Sequence, residues 1–228
     1  MSALYHSFLA LRERVARAAK EAGRNAEEIY IVAVSKTWPA EVVREAASLG
    51  QREFGENQVQ EAIPKIECLS DMQLEWHFIG TIQSNKTRLI AENFLWVHTV
   101  DREKIAQRLS DSRPSNLSPL NVCLQVNISH EPQKSGVAPG KVFELAAFVS
   151  ALPRLTLRGL MAIPEMTSDF SAARAQFRAL RELRDELAGK AFALDTLSMG
   201  MSHDLEAAIL EGATIVRVGT AIFGERMK

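Results

Sequence analysis

Hydrophobic positions along the chain alternate between two spacings. From residue 2 to residue 22 apolar side chains return at helical intervals, at Leu4, Phe8, Leu11, Val15, Ala18 and Ala22, and Gly23 supplies a stop. A continuous apolar run follows at 29–34, with the length and composition of a buried strand. The same pair of patterns then repeats. Strands are predicted over 52–54, 74–79, 95–100, 120–126, 155–161, 194–197 and 214–218, and helices over 39–49, 58–68, 85–92, 102–110, 141–151, 171–187 and 204–212. Local chemistry supports the boundaries. Pro39 suits a first helical turn, Gly50 and Gly212 suit helix ends, and Asp101 is the expected N-cap of the helix over 102–110.

About eight strands, each followed by a helix or helix-like tail, imply a parallel sheet with right-handed crossovers. Eight such units in a chain of 228 residues fit an α/β fold, a single closed (β/α)8 TIM barrel with an extra N-terminal helix, and one domain over 1–228. An open doubly wound sheet is the competing architecture. No G-x-G-x-x-G follows any strand, and the loosest stretch, DSRPSNLSP at 111–119, is too short to mark a second domain.

Charge narrows the partners. With 27 basic and 28 acidic residues and no basic block, the chain shows no bulk attraction to nucleic acid or to an anionic membrane, so an anion would need a local site. The two cysteines, Cys68 and Cys123, lack metal-ligand spacing and read as a helix-end thiol and a buried one, and no metal is expected. No apolar run approaches the roughly 20 residues of a membrane span, and the amphipathic start lacks a signal-peptide core. The expectation is a reduced, cytoplasmic protein, and a monomer.

In a barrel of this kind the chemistry sits at the C-terminal ends of the strands. Ser35 and Lys36 end the first, FGENQ with Asn57 the second, His77 and Gly80 the third, Met161 the sixth. The seventh runs into SMGMSHD, with Met199 and Ser202, and the eighth into Gly219 and Thr220. These last two loops each open a helix, and free backbone N–H groups at helix starts hold anions. Barrels often build a phosphate site from the same two loops. Ser202 has a second reading, as a plain cap of its own helix.

Lys36 reads either as a rim lysine reaching into water or as a nucleophile facing that anion site. The second reading points to an aldehyde cofactor with a phosphate, which is pyridoxal 5′-phosphate (PLP). A lysine amine, with an ordinary pKa of about 10.4, becomes nucleophilic when burial or nearby cations lower it.

The segments AVSKTWP, FGENQVQE, WHFIGTIQSNK, LMAIPE and LSMGMSHDLEAAILEGATIVRVGTAIFG, in this order over nearly the whole chain, resemble the PLP-binding, PLP-homeostasis proteins (YggS/PROSC-like). The resemblance implies a barrel akin to the alanine racemase N-terminal domain of fold-type III PLP enzymes. It implies PLP on Lys36, a phosphate held by Ser202, Gly219 and Thr220, Arg217 at the pyridine nitrogen, and Asn57, His77, Met161 and Met199 around the pocket. A guanidinium keeps its proton, so a pyridine nitrogen facing Arg217 stays unprotonated and the ring is a weak electron sink.

Two functions compete. One is a cofactor carrier that delivers PLP to PLP-dependent apo-enzymes. The other is an amino-acid racemase or decarboxylase, which needs a second acid/base opposite the lysine. In the racemases that group is a tyrosine from an additional domain. Here the two tyrosines fall elsewhere, Tyr5 in the leading helix and Tyr30 at the start of the first strand, which favours the carrier. Lys134, in EPQKSG, and Lys86 are candidates for a transfer role, although the plainer reading of Lys134 is a solvated loop lysine and of Lys86 a long-reaching lysine at a helix start.

Overall fold

The computed structural model describes residues 2–129, 135–190 and 192–225. In chain order its elements are α1 (Ala3–Glu21), β1 (Tyr30–Val34), α2 (Ala40–Ser48), β2 (Glu53–Glu56), α3 (Val59–Cys68), β3 (Glu75–Phe78), α4 (Thr87–Asn93), β4 (Trp96–Val100), α5 (Glu103–Ser112), β5 (Leu120–Gln125), α6 (Val142–Ser150), β6 (Leu155–Met161), α7 (Phe170–Ala188), β7 (Thr196–Ser198), α8 (Leu205–Leu210), β8 (Ile215–Val218) and α9 (Thr220–Phe223). The eight strands are all parallel and close into a barrel in sequence order, β8 pairing back onto β1. Among the described residues no helix is long and apolar enough to cross a membrane.

Strand alternation divides the core in two. On β1, Ala33 faces the helices and joins the large apolar layer between sheet and helices. Val32 faces the barrel interior, where it packs with Trp96, Cys123, Met161 and Ile215. The same alternation carries Val34 and Lys36 onto the inner face at the strand's end. The helices bury one stripe each. In α1 this is Phe8, Leu11, Val15, Ala18 and Ala19, the spacing read from the sequence.

Two charged contacts tie the outer layer together, one at the start of α8, beside the loop after β7, and one just past its end. Arg14 of α1 binds Glu206 of α8 at 2.7 Å and the Ser202 carbonyl at 3.0 Å, so the extra N-terminal helix clamps the loop after β7. Glu211, just past α8, is buried and accepts from Arg174, Arg178 and Arg181 of α7.

Three local expectations change. Asp101 does not cap α5; Arg102 occupies the N-cap and Asp101 pairs with its guanidinium. The second strand starts and ends later than the apolar run suggests, so Gly55 and Glu56 lie within it. Ser202 does not cap α8, as described below.

Candidate functional site

At the C-terminal ends of the strands a cavity of about 440 Å³ opens. That volume lies in the range of about 300–1,000 Å³ usual for small-ligand sites. Lys36, Asn57, Ser202, Arg217, Gly219 and Thr220 all line it, brought together from five loops and strands that lie up to 184 positions apart only in the chain's numbering.

Lys36 sits on a tight turn. The Trp38 N–H donates to the Ser35 carbonyl at 3.0 Å, and Thr37 takes a left-handed φ of 70°, a strained value for a β-branched residue. A buried network behind the turn holds it. The Ser35 hydroxyl donates to Glu56 Oε1 at 2.7 Å, and Lys65 Nζ reaches the same oxygen at 2.8 Å and the Ser35 carbonyl at 2.9 Å. The Thr37 N–H donates to Glu61 at 3.2 Å. Burial pushes the Glu56 carboxyl upward, and Lys65 opposes the shift. Lys65 thus anchors the loop, while Lys36 is the lysine that faces the cavity.

The opposite wall comes from the loops after β7 and β8. Gly200 adopts φ 92°, and a Cβ there would meet the Ala208 Cβ at 2.6 Å, so only glycine lets the loop pass so close to α8. The loop then turns on Asp204, whose carboxylate accepts from the Met201 N–H at 2.6 Å. Ser202 Oγ accepts from the Ala221 N–H at 3.2 Å, which joins this loop to the first turn of α9, where Gly219 is the N-cap. The hydroxyl keeps its own proton for a ligand.

Arg217, 4% exposed, points inward from β8. It donates to Ser198 Oγ at 2.7 Å and to the Ala162 carbonyl at 3.0 Å. Burial lowers its pKa to about 10, which leaves it charged at neutral pH. From Ser198 a polar file runs down through the barrel. His98 Nδ1 lies 2.7 Å from Ser198 Oγ, and His98 Nε2 lies 2.9 Å from His77 Nδ1. Burial pushes the His77 pKa down to about 3. His98 is also held well below its ordinary value, by burial first and then by His77 and Arg217. Both rings are neutral.

The remaining sequence candidates fall elsewhere. His77 is inward but deeper, and lines a second cavity at the other end of the barrel. Met161 is buried in the barrel interior, and Met199 packs in the layer outside it. Lys86 precedes α4 and does not line the mouth. Lys134 lies outside the described residues. Tyr5 is on α1, and Tyr30 lines the far cavity. Cys123 is buried, with its thiol pushed up to about 12, and Cys68 ends α3; both are free. Sequence reasoning missed His98 and Lys65, and it placed Ser198 and Glu56 at strand ends without giving them a role. The available signal was parity: Ser198 and His98 are polar residues at inward positions of strands.

The family model for the alanine racemase N-terminal domain matches residues 8–227. A pyridoxal phosphate homeostasis protein of Pseudomonas aeruginosa is 58% identical over 226 residues, spanning 99% of this chain and 97% of that one. The chain belongs to the pyridoxal phosphate homeostasis protein family. Its Escherichia coli K12 relative of the same description is 51% identical, spanning 99% of this chain and 98% of the relative. Among solved structures of the family, PipY of Synechococcus elongatus with PLP bound superposes with a TM-score of 0.82 at 38% identity, covering 92% of this chain and all of PipY. An alanine racemase of Clostridium difficile, 15% identical with a TM-score of 0.71, shares the fold alone.

Proposed function

We infer that the chain binds PLP at the mouth of the barrel and acts in intracellular PLP (vitamin B6) homeostasis, as a carrier rather than an enzyme. The observation that carries this reading is one cavity lined by an amine, a guanidinium and a hydroxyl-bearing loop pair: Lys36, Arg217, and Ser202 with Gly219 and Thr220. That donor set fits PLP group by group. The Lys36 amine adds to the aldehyde carbon and, with loss of water, forms the C=N bond of a Schiff base. The Ser202 hydroxyl and the backbone at Gly219 and Thr220 hold the phosphate.

Arg217 stays protonated, and only two of its N–H groups are committed to Ser198 and Ala162. Its remaining donors serve the pyridine nitrogen, which then stays unprotonated and a weak electron sink. This suits storage better than carbanion chemistry. The placement of Tyr5 and Tyr30 away from the mouth supports the same side. Release follows when water, or an amine of an apo-enzyme, displaces the Lys36 nitrogen. We read the chain as a cytoplasmic monomer that passes PLP to such apo-enzymes, with Lys134 and Lys86 open as transfer residues.

The test is spectroscopic. Purified protein given PLP should turn yellow, and Lys36→Ala should stay folded without that band. A full-strength band in the variant would overturn the assignment. Turnover of D- or L-amino acids at enzyme-like rates would overturn the carrier reading.

A further inference from the structure

At the N-terminal end of the barrel, opposite the mouth, lies a cavity of about 570 Å³. This end of a barrel ordinarily serves stability, and apolar side chains would close it at least cost. Here its wall includes Glu53, Glu75, His77, Trp96 and Arg158.

The arginines of this floor are already engaged. Arg158 binds Asp195 at 2.7 Å and Asn121 at 3.0 Å, and its guanidinium lies 4.8 Å over the Trp96 ring. Arg24 donates to the Ile209 and Ala213 carbonyls and stands 3.9 Å from Glu28. The carboxylates of Glu53 and Glu75 are not so engaged. They occupy paired positions on β2 and β3, and among the described residues neither forms an ion pair. Glu53 accepts only from Gln51, at 3.2 Å. Burial and the neighbouring Glu53 both raise the Glu75 pKa.

His77 is an independent observation. It is 2% exposed, and its Nε2 has no hydrogen-bond partner among the described residues. The polar file decides what that atom presents. Arg217 can only donate, so Ser198 Oγ accepts from it and passes its own proton to His98 Nδ1. His98 Nε2–H then donates to His77 Nδ1, which leaves the His77 proton on Nε2. The reverse direction would leave the serine hydroxyl without an acceptor. The floor therefore offers a buried, unmet N–H donor beside two carboxylates that lack a cation. A metal is a poor match, because among the described residues no three metal-ligating side chains gather.

We propose that this cavity is a second small-molecule site, taking an organic ammonium that also carries a hydrogen-bond acceptor. The ammonium faces Glu53 and Glu75, and the acceptor meets His77 Nε2–H. The site does not depend on what the mouth binds.

Tyramine, phenethylamine and tyrosol separate the two requirements: the first has amine and hydroxyl, the second only the amine, the third only the hydroxyls. Each is titrated into the full-length, isotope-labelled chain stripped of PLP, so that no amine condenses with cofactor. The readouts are the NMR resonances of His77 Nε2–H and the Trp96 indole. Tyramine should give saturable shifts at both and bind at least tenfold tighter than either analogue. Glu75→Gln and Glu53→Gln, in open positions that tolerate glutamine, should each weaken tyramine several-fold and leave tyrosol unchanged. No saturable shift at His77 and Trp96, equal binding of the three probes, or tyramine affinity unmoved by both substitutions would each overturn the proposal.

Discussion

The two ends of the barrel carry opposite charge. The mouth is lined by Lys36 and Arg217, with no carboxylate among its described lining residues. The floor presents Glu28, Glu53, Glu75 and Asp195 against Arg24 and Arg158. Between them two neutral histidines span the interior. A formal net charge of −1 hides this separation entirely. Bulk charge speaks to long-range steering, whereas each end presents its own local charge. The mouth is also braced from behind by a buried ion pair, and the floor has no comparable brace among its two strand carboxylates.

That difference can be broken in stages, beginning behind the mouth. Lys65→Met leaves Glu56, which is fully buried, without its cation. Removing one partner of a buried pair costs about 3–5 kcal/mol. Denaturant unfolding should show a loss of that size, together with weaker PLP retention as the Ser35–Trp38 turn loosens. A loss under about 1 kcal/mol would mean that the pair does not brace the loop.

The interior file responds to pH. The unfolded chain protonates both histidines near pH 6.5, whereas burial holds His77 to about 3 and His98 well below its ordinary value. The folded state therefore binds fewer protons. Their contribution to stability is complete above about pH 6.5 and falls as pH drops below it, by up to about 1.4 kcal/mol per pH unit for each histidine, and for His77 down to about pH 3. Ser198 and Arg217 face this pair from above and Glu53 and Glu75 from the floor, so the slope is read as a difference between proteins. His77→Gln should flatten the fall in Tm between pH 7 and pH 5 relative to the wild type; identical slopes would contradict the assignment.

Smaller effects follow. Ser202→Ala should weaken PLP binding several-fold, about 1 kcal/mol for one lost hydrogen bond to a charged group, measured by absorbance titration. Unchanged affinity would remove Ser202 from the phosphate site. Glu75→Gln should raise Tm slightly, because it relieves a like-charge pair on adjacent strands. A fall in Tm would show that the Glu75 carboxylate is already satisfied at the floor.

Much of this was legible in the sequence, for reasons particular residues make clear. The closed eight-stranded barrel followed from alternating spacings, and Lys36 and the Ser202 and Gly219–Thr220 loops were placed by the rule that strand ends carry chemistry. What periodicity lacks is depth. His77 is inward on β3, as its parity requires, yet it lies below the mouth because strand stagger, which no single strand encodes, sets its level. Met199 follows the inward Ser198 and so points outward into the helix layer. The contact between His98 and Ser198 joins residues 100 positions apart, and its existence depends on closure of the barrel. Ser202 looked like a cap because it precedes α8, but the loop turns on Asp204 and frees the serine to reach α9.

The most direct test of the central claim is chemical trapping. Protein loaded with PLP is reduced with borohydride, digested, and mapped by mass spectrometry. A pyridoxyl group on the peptide bearing Lys36, and its absence from that peptide in Lys36→Ala, is the predicted result. A modified peptide bearing another lysine instead, or no stable adduct from protein that has bound PLP, would contradict it.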